Sequence, residues 1–293
     1  MTKQKKQPTI LSIDTSCDDT SVAITQGLVV LSNVIASQTQ LHKQYGGVFP
    51  TVAKQAHKDN IDPCISAALK KASPSISSGS IWGNIDAIAV TQGPGLAPAL
   101  EVGIKKAKEL AKKHNKKLIA VNHIEGHCLS PLATRNSPST TLENHNEINP
   151  ALSLVVSGGH SEFILIKKIG KYERLGWTID DAAGECLDKV GRILGLGYPA
   201  GPVIEKFAKL GDEKCFTFPL PMTESKNFNL SFSGLKTFAR NKIKELEDDN
   251  QLDQPAIYDF SASFQYAVFR HICYKLGKVL KKHPSTGQVW LGG

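Results

Sequence analysis

Two histidines stand four residues apart in His123-Ile124-Glu125-Gly126-His127. On a helix, positions i and i+4 lie one above the other, so two imidazoles spaced this way can chelate one divalent cation. The plain alternative is a pair of solvated or core histidines. Zinc proteases of the H-E-x-x-H type place glutamate directly after the first histidine, and Glu125 stands one position too late for that role. A second reactive stretch is Asp14-Thr15-Ser16-Cys17-Asp18-Asp19-Thr20. Its turn N–H groups, hydroxyls and carboxylates suit a phosphate or metal–phosphate site. A third is Ser157-Gly158-Gly159-His160-Ser161, a small-residue turn of the same kind.

The elements that must position these residues can be read from apolar pattern. Residues 9–25 read as strand, tight turn, strand, and residues 28–36 as a third strand. Tyr45-Gly46-Gly47-Val48-Phe49-Pro50 is a turn, and Pro50 can open a helix that Pro63 breaks or kinks. Residues 71–84 are rich in Ser and Gly and read as a loop. Residues 85–91 form a strand, and Gly93-Pro94-Gly95 turns the chain into a helix over 97–114. Lys117-Leu118-Ile119-Ala120-Val121 reads as a buried strand, so the histidine pair falls where a strand hands over to a helix, the usual place for chemistry in α/β proteins. Polar, turn-rich residues 131–150 are read as a linker between a first lobe at 1–130 and a second at 151–293.

The second lobe opens as the first does, with a strand at 152–156, the turn at 157–161 and a strand at 163–166. That is a repeat of pattern, without repeated sequence. Asp180-Asp181 caps a helix over 182–194, with Ala183, Leu187, Val190 and Leu194 as its apolar stripe and Gly195 as its close. Asp188 lies off that stripe, either solvent-exposed or an acceptor for a ribose or amine. Pro255 opens a long helix whose stripe of Ile257, Phe260, Phe264, Ala267, Val268 and Ile272 is core. Gln288-Val289-Trp290-Leu291 is a strand. The Gly292-Gly293 that follows resembles the start of a ligand loop, so the chain reads as cut at a functional junction.

Composition limits the function classes. Of 293 residues, 41% are hydrophobic and 21% charged, ordinary for a globular protein. No apolar run is long enough to cross a bilayer, and no signal peptide is evident. Six cysteines without a C-x-x-C pair fit reduced thiols of the cytoplasm. The net charge of +8, with lysines gathered at 105, 106, 108, 112, 113, 116 and 117, favours a nucleic-acid partner over a membrane.

Seven stretches in order carry a resemblance. They are Ile13-Asp14-Thr15-Ser16-Cys17-Asp18-Asp19-Thr20, Tyr45-Gly46-Gly47-Val48, Gln92-Gly93-Pro94-Gly95-Leu96, His123-Ile124-Glu125-Gly126-His127, Val156-Ser157-Gly158-Gly159-His160, Asp180-Asp181-Ala182-Ala183-Gly184-Glu185 and Phe232-Ser233-Gly234-Leu235-Lys236-Thr237. Together they resemble the bacterial-type tRNA threonylcarbamoyladenosine transferases, a family first labelled O-sialoglycoprotein endopeptidase. The resemblance implies a two-lobed, actin-like α/β fold with a nucleotide cleft between the lobes. It implies transfer of a threonylcarbamoyl group from threonylcarbamoyl-adenylate to the exocyclic amine of the adenosine 3′ of the anticodon. The tRNAs are those reading codons that begin with adenine, and AMP leaves.

The resemblance also implies residue roles. His123 and His127 hold one divalent metal per subunit, iron or zinc. Val155, Val156, Ser157, Gly158 and Gly159 form the phosphate or acyl turn, and Asp188 and Gly201 hold the adenosine end. Asp14, Asp18 and Asp19 face metal and substrate, Glu125 orients a ligand or caps its helix, and His160 shapes its turn. No covalent nucleophile is expected, because the adenylate is already an activated anhydride. Asp14 and Asp19 stand where the family usually has glutamate, which shortens their reach by one methylene. The family continues beyond Gly293 with an asparagine for the adenine and an aspartate for the metal. Implied partners are tRNA, an actin-like paralogue and a small P-loop ATPase, with no membrane. The alternatives are a non-catalytic scaffold that binds the modification complex and, less favoured, a metalloprotease.

Overall fold

The computed structural model describes residues 7–75, 81–133 and 150–293. The chain divides into two compact units, Met1–Leu142 and Glu143–Gly293. Most of the linker read at 131–150 lies outside the described residues, as do residues 76–80 of the loop read at 71–84, whose described ends are helical rather than loop, in one helix that runs to Ala72 and another at Ile81–Asn84.

In the first unit, β1 (Thr9–Asp14), β2 (Asp19–Gln26), β3 (Val29–Ser37), β4 (Ala87–Gly93) and β5 (Lys117–Asn122) form one sheet in the order β3-β2-β1-β4-β5. β1 pairs antiparallel with β2 and parallel with β4, and β5 runs parallel to β4. Period-two alternation puts Leu11 and Ile13 of β1 beside Ile24 and Val22 of β2, all buried on one face. That face is covered by α2 (Pro50–Ala72), through Ile61, Ile65 and Ala68, and by α4 (Ala97–Lys113), through Val102, Ala107 and Leu110. The short α1 (Thr39–His42), α3 (Ile81–Asn84) and α5 (His123–Leu129) complete the unit.

Two expectations are corrected here. Pro63 does not end its helix, because α2 continues to Ala72. A proline costs one backbone bond and a clash, and the buried neighbours Ile61, Cys64 and Ile65 hold that turn against the core. The strand at 117–121 exists but is not buried, with Leu118 and Ile119 each 40% exposed. It is the outermost strand, hydrogen-bonded to β4 alone, so its apolar residues lack a covering layer among the described residues.

The second unit repeats the scheme. β6 (Ala151–Val156), β7 (Ser161–Lys168), β8 (Lys171–Trp177) and β9 (Gln288–Gly292) lie in the order β8-β7-β6-β9. β6 is antiparallel to β7 and parallel to β9, and β7 is antiparallel to β8. This is the order and direction of β3-β2-β1-β4, so the repeat read from pattern is a repeat of topology. β8 is a strand the sequence reading missed, since Lys171, Glu173 and Arg174 break the apolar alternation. One face of the sheet packs Leu152, Leu154 and Phe163 on α6 (Ala183–Ile193), α8 (Ser233–Asp248) and α9 (Gln254–Lys282), with α7 (Gly201–Ala208) beside them. Fully burying each of Phe260, Phe264 and Ile243 contributes roughly 1.5–3 kcal/mol.

α6 ends as expected. Gly195 takes φ +74°, its N–H bonds Arg192 O, and Leu196 N–H bonds Gly191 O, a Schellman close. Its start is a correction. Asp180 and Asp181 do not cap it; Ser161 Oγ accepts from Ala183 N at 2.9 Å and Ser157 O accepts from Gly184 N. The β6–β7 turn supplies the cap because both aspartates are engaged elsewhere. The fold is α/β and actin-like, each unit built on the same sheet.

Candidate active site

In the first unit the reactive residues gather at the carboxyl ends of three neighbouring strands. Asp14 ends β1, Thr91 lies near the end of β4, and His123 follows β5. Parallel α/β sheets place ligands at this edge. Asp14 Oδ2 accepts from Thr91 Oγ1 at 2.8 Å and from His123 Nδ1 at 3.0 Å, while Oδ1 accepts from Ser16 N at 2.7 Å. Burial opposes the charge on Asp14, yet the bonds from His123, Ser16 and Thr91 outweigh it and hold the carboxyl well below the usual range.

The histidine pair is set by α5. Asn122 caps that helix, its Oδ1 accepting from Ile124 N at 2.9 Å and Glu125 N at 3.2 Å. Asn122 is thus the cap residue of this helix, and Glu125 lies in its first turn. One helical turn brings His123 Nε2 and His127 Nε2 to 3.1 Å from each other. Two nitrogens bonded to one ion at about 2.1 Å lie roughly 3.0–3.4 Å apart, so the pair fits a shared cation. Donation from Nδ1 to Asp14 leaves the lone pair of His123 on Nε2, and the carboxylate behind it is the usual support of a metal-bound imidazole. Among the described residues no group of three or more His, Cys, Asp and Glu is arranged for a metal.

The turn beside them is fixed from beneath. Thr15 Oγ1 donates to Ala99 O at 2.9 Å and accepts from Gly103 N at 3.2 Å. A Cβ on Gly103 would meet that hydroxyl at 2.5 Å, so only glycine lets α4 approach so closely. Leu96 N bonds Ser16 O, which ties the Gly93-Pro94-Gly95 turn to the same loop. His57, wholly buried on α2, bridges the loop's far side. Its Nδ1 takes the Thr20 hydroxyl at 2.8 Å and its Nε2 donates to Cys17 O at 3.0 Å. Burial lowers its pKa, so the ring is neutral. Asp18 sits half-buried at the tip and Asp19 is exposed at the start of β2.

In the second unit, Val155 and Val156 end β6 and Ser157 begins the turn. Ser157 Oγ accepts from Gly159 N at 3.3 Å and His160 N at 3.0 Å, and Ser157 N donates to His160 O. His160 thus serves the turn through its backbone. Gly158 and Gly159 are exposed, and a Cβ added to either meets nothing within 4 Å. The space above the turn is open to a ligand that contacts backbone. Asp188 Oδ1 accepts from Ala200 N at 2.8 Å and Gly201 N at 3.0 Å, which joins α6 to the start of α7.

Asp180 accepts from Ser231 Oγ at 2.5 Å and Phe232 N at 2.8 Å. Asp181 pairs with Lys189 at 2.5 Å and with Lys236. Burial opposes both charges, and these partners override it to keep both carboxyls below their ordinary range. Under this loop, His271 Nε2 accepts from Ser231 N at 3.2 Å and buried Lys275 donates to Asn227 O at 3.2 Å. Burial, with the Lys275 charge, pushes His271 down to about 4. Thr91, Asn122, His57 and His271 were not singled out from sequence, and Lys236 was named only within its stretch. Only Asn122 carried a local signal, an N-cap residue directly before a helix.

The doubled sheet, with a histidine pair at the strand ends of one unit and an open glycine turn in the other, defines an actin-like α/β protein of the enzyme kind. The sequence model of TsaD, tRNA N6-adenosine threonylcarbamoyltransferase, matches residues 29–293. The chain belongs to that family and is a transferase. It is 45% identical over 284 residues to the Thermosipho africanus tRNA N6-adenosine threonylcarbamoyltransferase, covering 97% of this chain and 80% of that one. It is 44% identical over 269 residues to the Nostoc punctiforme protein of the same name, covering 90% and 72%. A ROK hexokinase from Thermus thermophilus superposes loosely, with a TM-score of 0.44, 14% identity and coverage of 97% and 81%. The fold therefore rests on the topology above.

Proposed function

We propose that this chain moves the threonylcarbamoyl group from threonylcarbamoyl-adenylate to the exocyclic amine of the adenosine 3′ of the anticodon, in tRNAs that read codons beginning with adenine. The amine nitrogen forms a bond to the carbamoyl carbon, the bond from that carbon to the phosphate oxygen breaks, AMP departs, and the amine releases a proton. An activated anhydride needs no enzyme nucleophile, so the protein's part is to align the reactants and stabilise charge.

The observation that carries the reading is the facing of His123 Nε2 and His127 Nε2 at 3.1 Å with Asp14 behind His123. These two residues would hold one divalent ion, iron or zinc, and bound there it supplies a Lewis acid for an oxygen ligand. Asp14 orients His123, and the turn bearing Asp18 and Asp19 lies beside it. The Val155–Gly159 turn offers backbone to the phosphate or acyl end, and Asp188 and Gly201 border the adenosine end. The net charge of +8 suits a polyanionic substrate. The reaction is cytoplasmic and proceeds with an actin-like paralogue and a small P-loop ATPase.

The test is a single-turnover assay with preformed threonylcarbamoyl-adenylate, unmodified tRNA and these partner proteins, followed by nucleoside mass. Product that disappears with His123→Ala and His127→Ala is expected. Product unaffected by either change would show that the pair is not the centre of the reaction. Metal analysis of the purified chain adds a separate readout, because a scaffold carries none.

A further inference from the structure

β8 is an edge strand with one irregularity. Trp177 lies opposite Glu162, Gly176 opposite Phe163, and Arg174 opposite Ile164, which leaves Leu175 as an extra residue. Residues three apart on a regular strand face opposite ways. The bulge at Leu175 reverses that and brings Arg174 and Trp177 to one face, re-aiming side chains as bulges do near functional sites. The guanidinium carbon lies 4.1 Å from the indole centroid, and Arg174 reaches Glu162 at 3.7 Å.

The backbone under this pair is fixed. Trp177 N donates to Asn229 Oδ1 at 3.2 Å, and Trp177 O accepts from Leu230 N at 2.9 Å. The side chains above it are not covered. Trp177 is 38% exposed and the Arg174 side chain 54% exposed. Ile179, two residues on, is also exposed, and the next residue is Asp180, bonded to Ser231 and Phe232 in a segment whose ends, Thr178 and Ala183, both bond Ser161 at the close of the candidate substrate turn.

We propose that Trp177 and Arg174 form a stacking platform for an unpaired base of the RNA substrate. The inference rests on the reading of the chain as a tRNA-modifying transferase. A base laid on the outer plane of the guanidinium completes a stack of base, cation and indole, and the same cation lies within reach of the strand's phosphates. Aromatic rings and arginine planes are the surfaces on which single-stranded RNA bases stack. A paired base offers no free face, so the ligand is a loop nucleotide rather than duplex.

The test measures affinity for an unmodified tRNA transcript and for a blunt RNA duplex across a salt series, in the partner-containing mixture used for transfer. Trp177→Ala should weaken tRNA binding about tenfold at every salt concentration with an unchanged salt slope. Trp177→Phe should restore most of it, and Arg174→Gln should weaken binding and reduce the slope by about one. Duplex affinity should not move. Trp177→Ala binding tRNA like the wild type, or losing duplex binding to the same degree, would overturn the platform. Wild-type transfer activity in the same mixture separates that failure from a failure of the functional reading, which absence of product would mark.

Discussion

Both carboxylate oxygens of Asp14 hold other groups in place, and Thr91 is the partner whose removal isolates that role. Thr91→Val keeps the shape and deletes the hydroxyl that donates to Oδ2 at 2.8 Å. A hydrogen bond to a charged group contributes about 1.5–3 kcal/mol, so urea unfolding should show a loss of that order, and single-turnover transfer should slow. An unchanged midpoint and rate would mean the bond is idle. Gly159→Val tests the other unit. Nothing lies within 4 Å of a Cβ there, so the melting temperature should hold while AMP affinity, read by calorimetry, falls at least about tenfold as the side chain fills the ligand's space; equal AMP affinity would move the site elsewhere. The histidine pair was legible in the sequence because i, i+4 spacing is itself helix geometry. Thr91 and His57 were not, since their bonds cross 77 and 37 residues of chain, and no local pattern encodes a partner at that distance.

At the scale of elements, short α5 depends on its cap more than a long helix would, because seven residues make few backbone bonds of their own. Asn122→Ala should cost about 1 kcal/mol and loosen the register of His123 against His127. Metal binding by the purified protein should then weaken while the mutant still folds. Full metal affinity would show that packing, not the cap, fixes the pair. Gly103→Ala acts on α4 instead. Its Cβ meets Thr15 Oγ1 at 2.5 Å, and overpacking of this kind costs about 1–3 kcal/mol, read as a lower melting temperature. Most helices were legible from period and breakers, α9 above all, with its core stripe intact. The misread elements share a cause. Leu118 and Ile119 look like core by composition, yet exposure depends on being outermost in the sheet. β8 is hidden by charges that an edge strand tolerates. Asp180 and Asp181 resemble a cap until Ser231, Lys189 and Lys236 claim them.

Across the whole molecule, a buried histidine lies under a loop in each unit. His57 lies beneath the Asp14–Thr20 turn, and His271 beneath the 227–233 loop. Burial lowers the pKa of both, that of His271 to about 4. An unfolded histidine titrates near 6.5. Between these values the unfolded chain binds protons that the folded chain refuses, so stability rises with pH in that window and is lost as pH falls from 6.5 toward 4. The span from 6.5 to about 4 corresponds to about 3 kcal/mol for His271. The lowered carboxyls of Asp180 and Asp181 lose their contribution as pH falls from their ordinary range, so the first acid loss belongs to the histidines. Melting curves from pH 7 to pH 5 should therefore fall in the wild type and fall less in His271→Gln, whose side chain carries no proton in that range. Parallel curves would place the acid sensitivity outside His271. A smaller slope in the variant would tie the stability of the second unit to the neutral ring that accepts from Ser231, on the same loop that presents Ser231 and Phe232 to Asp180.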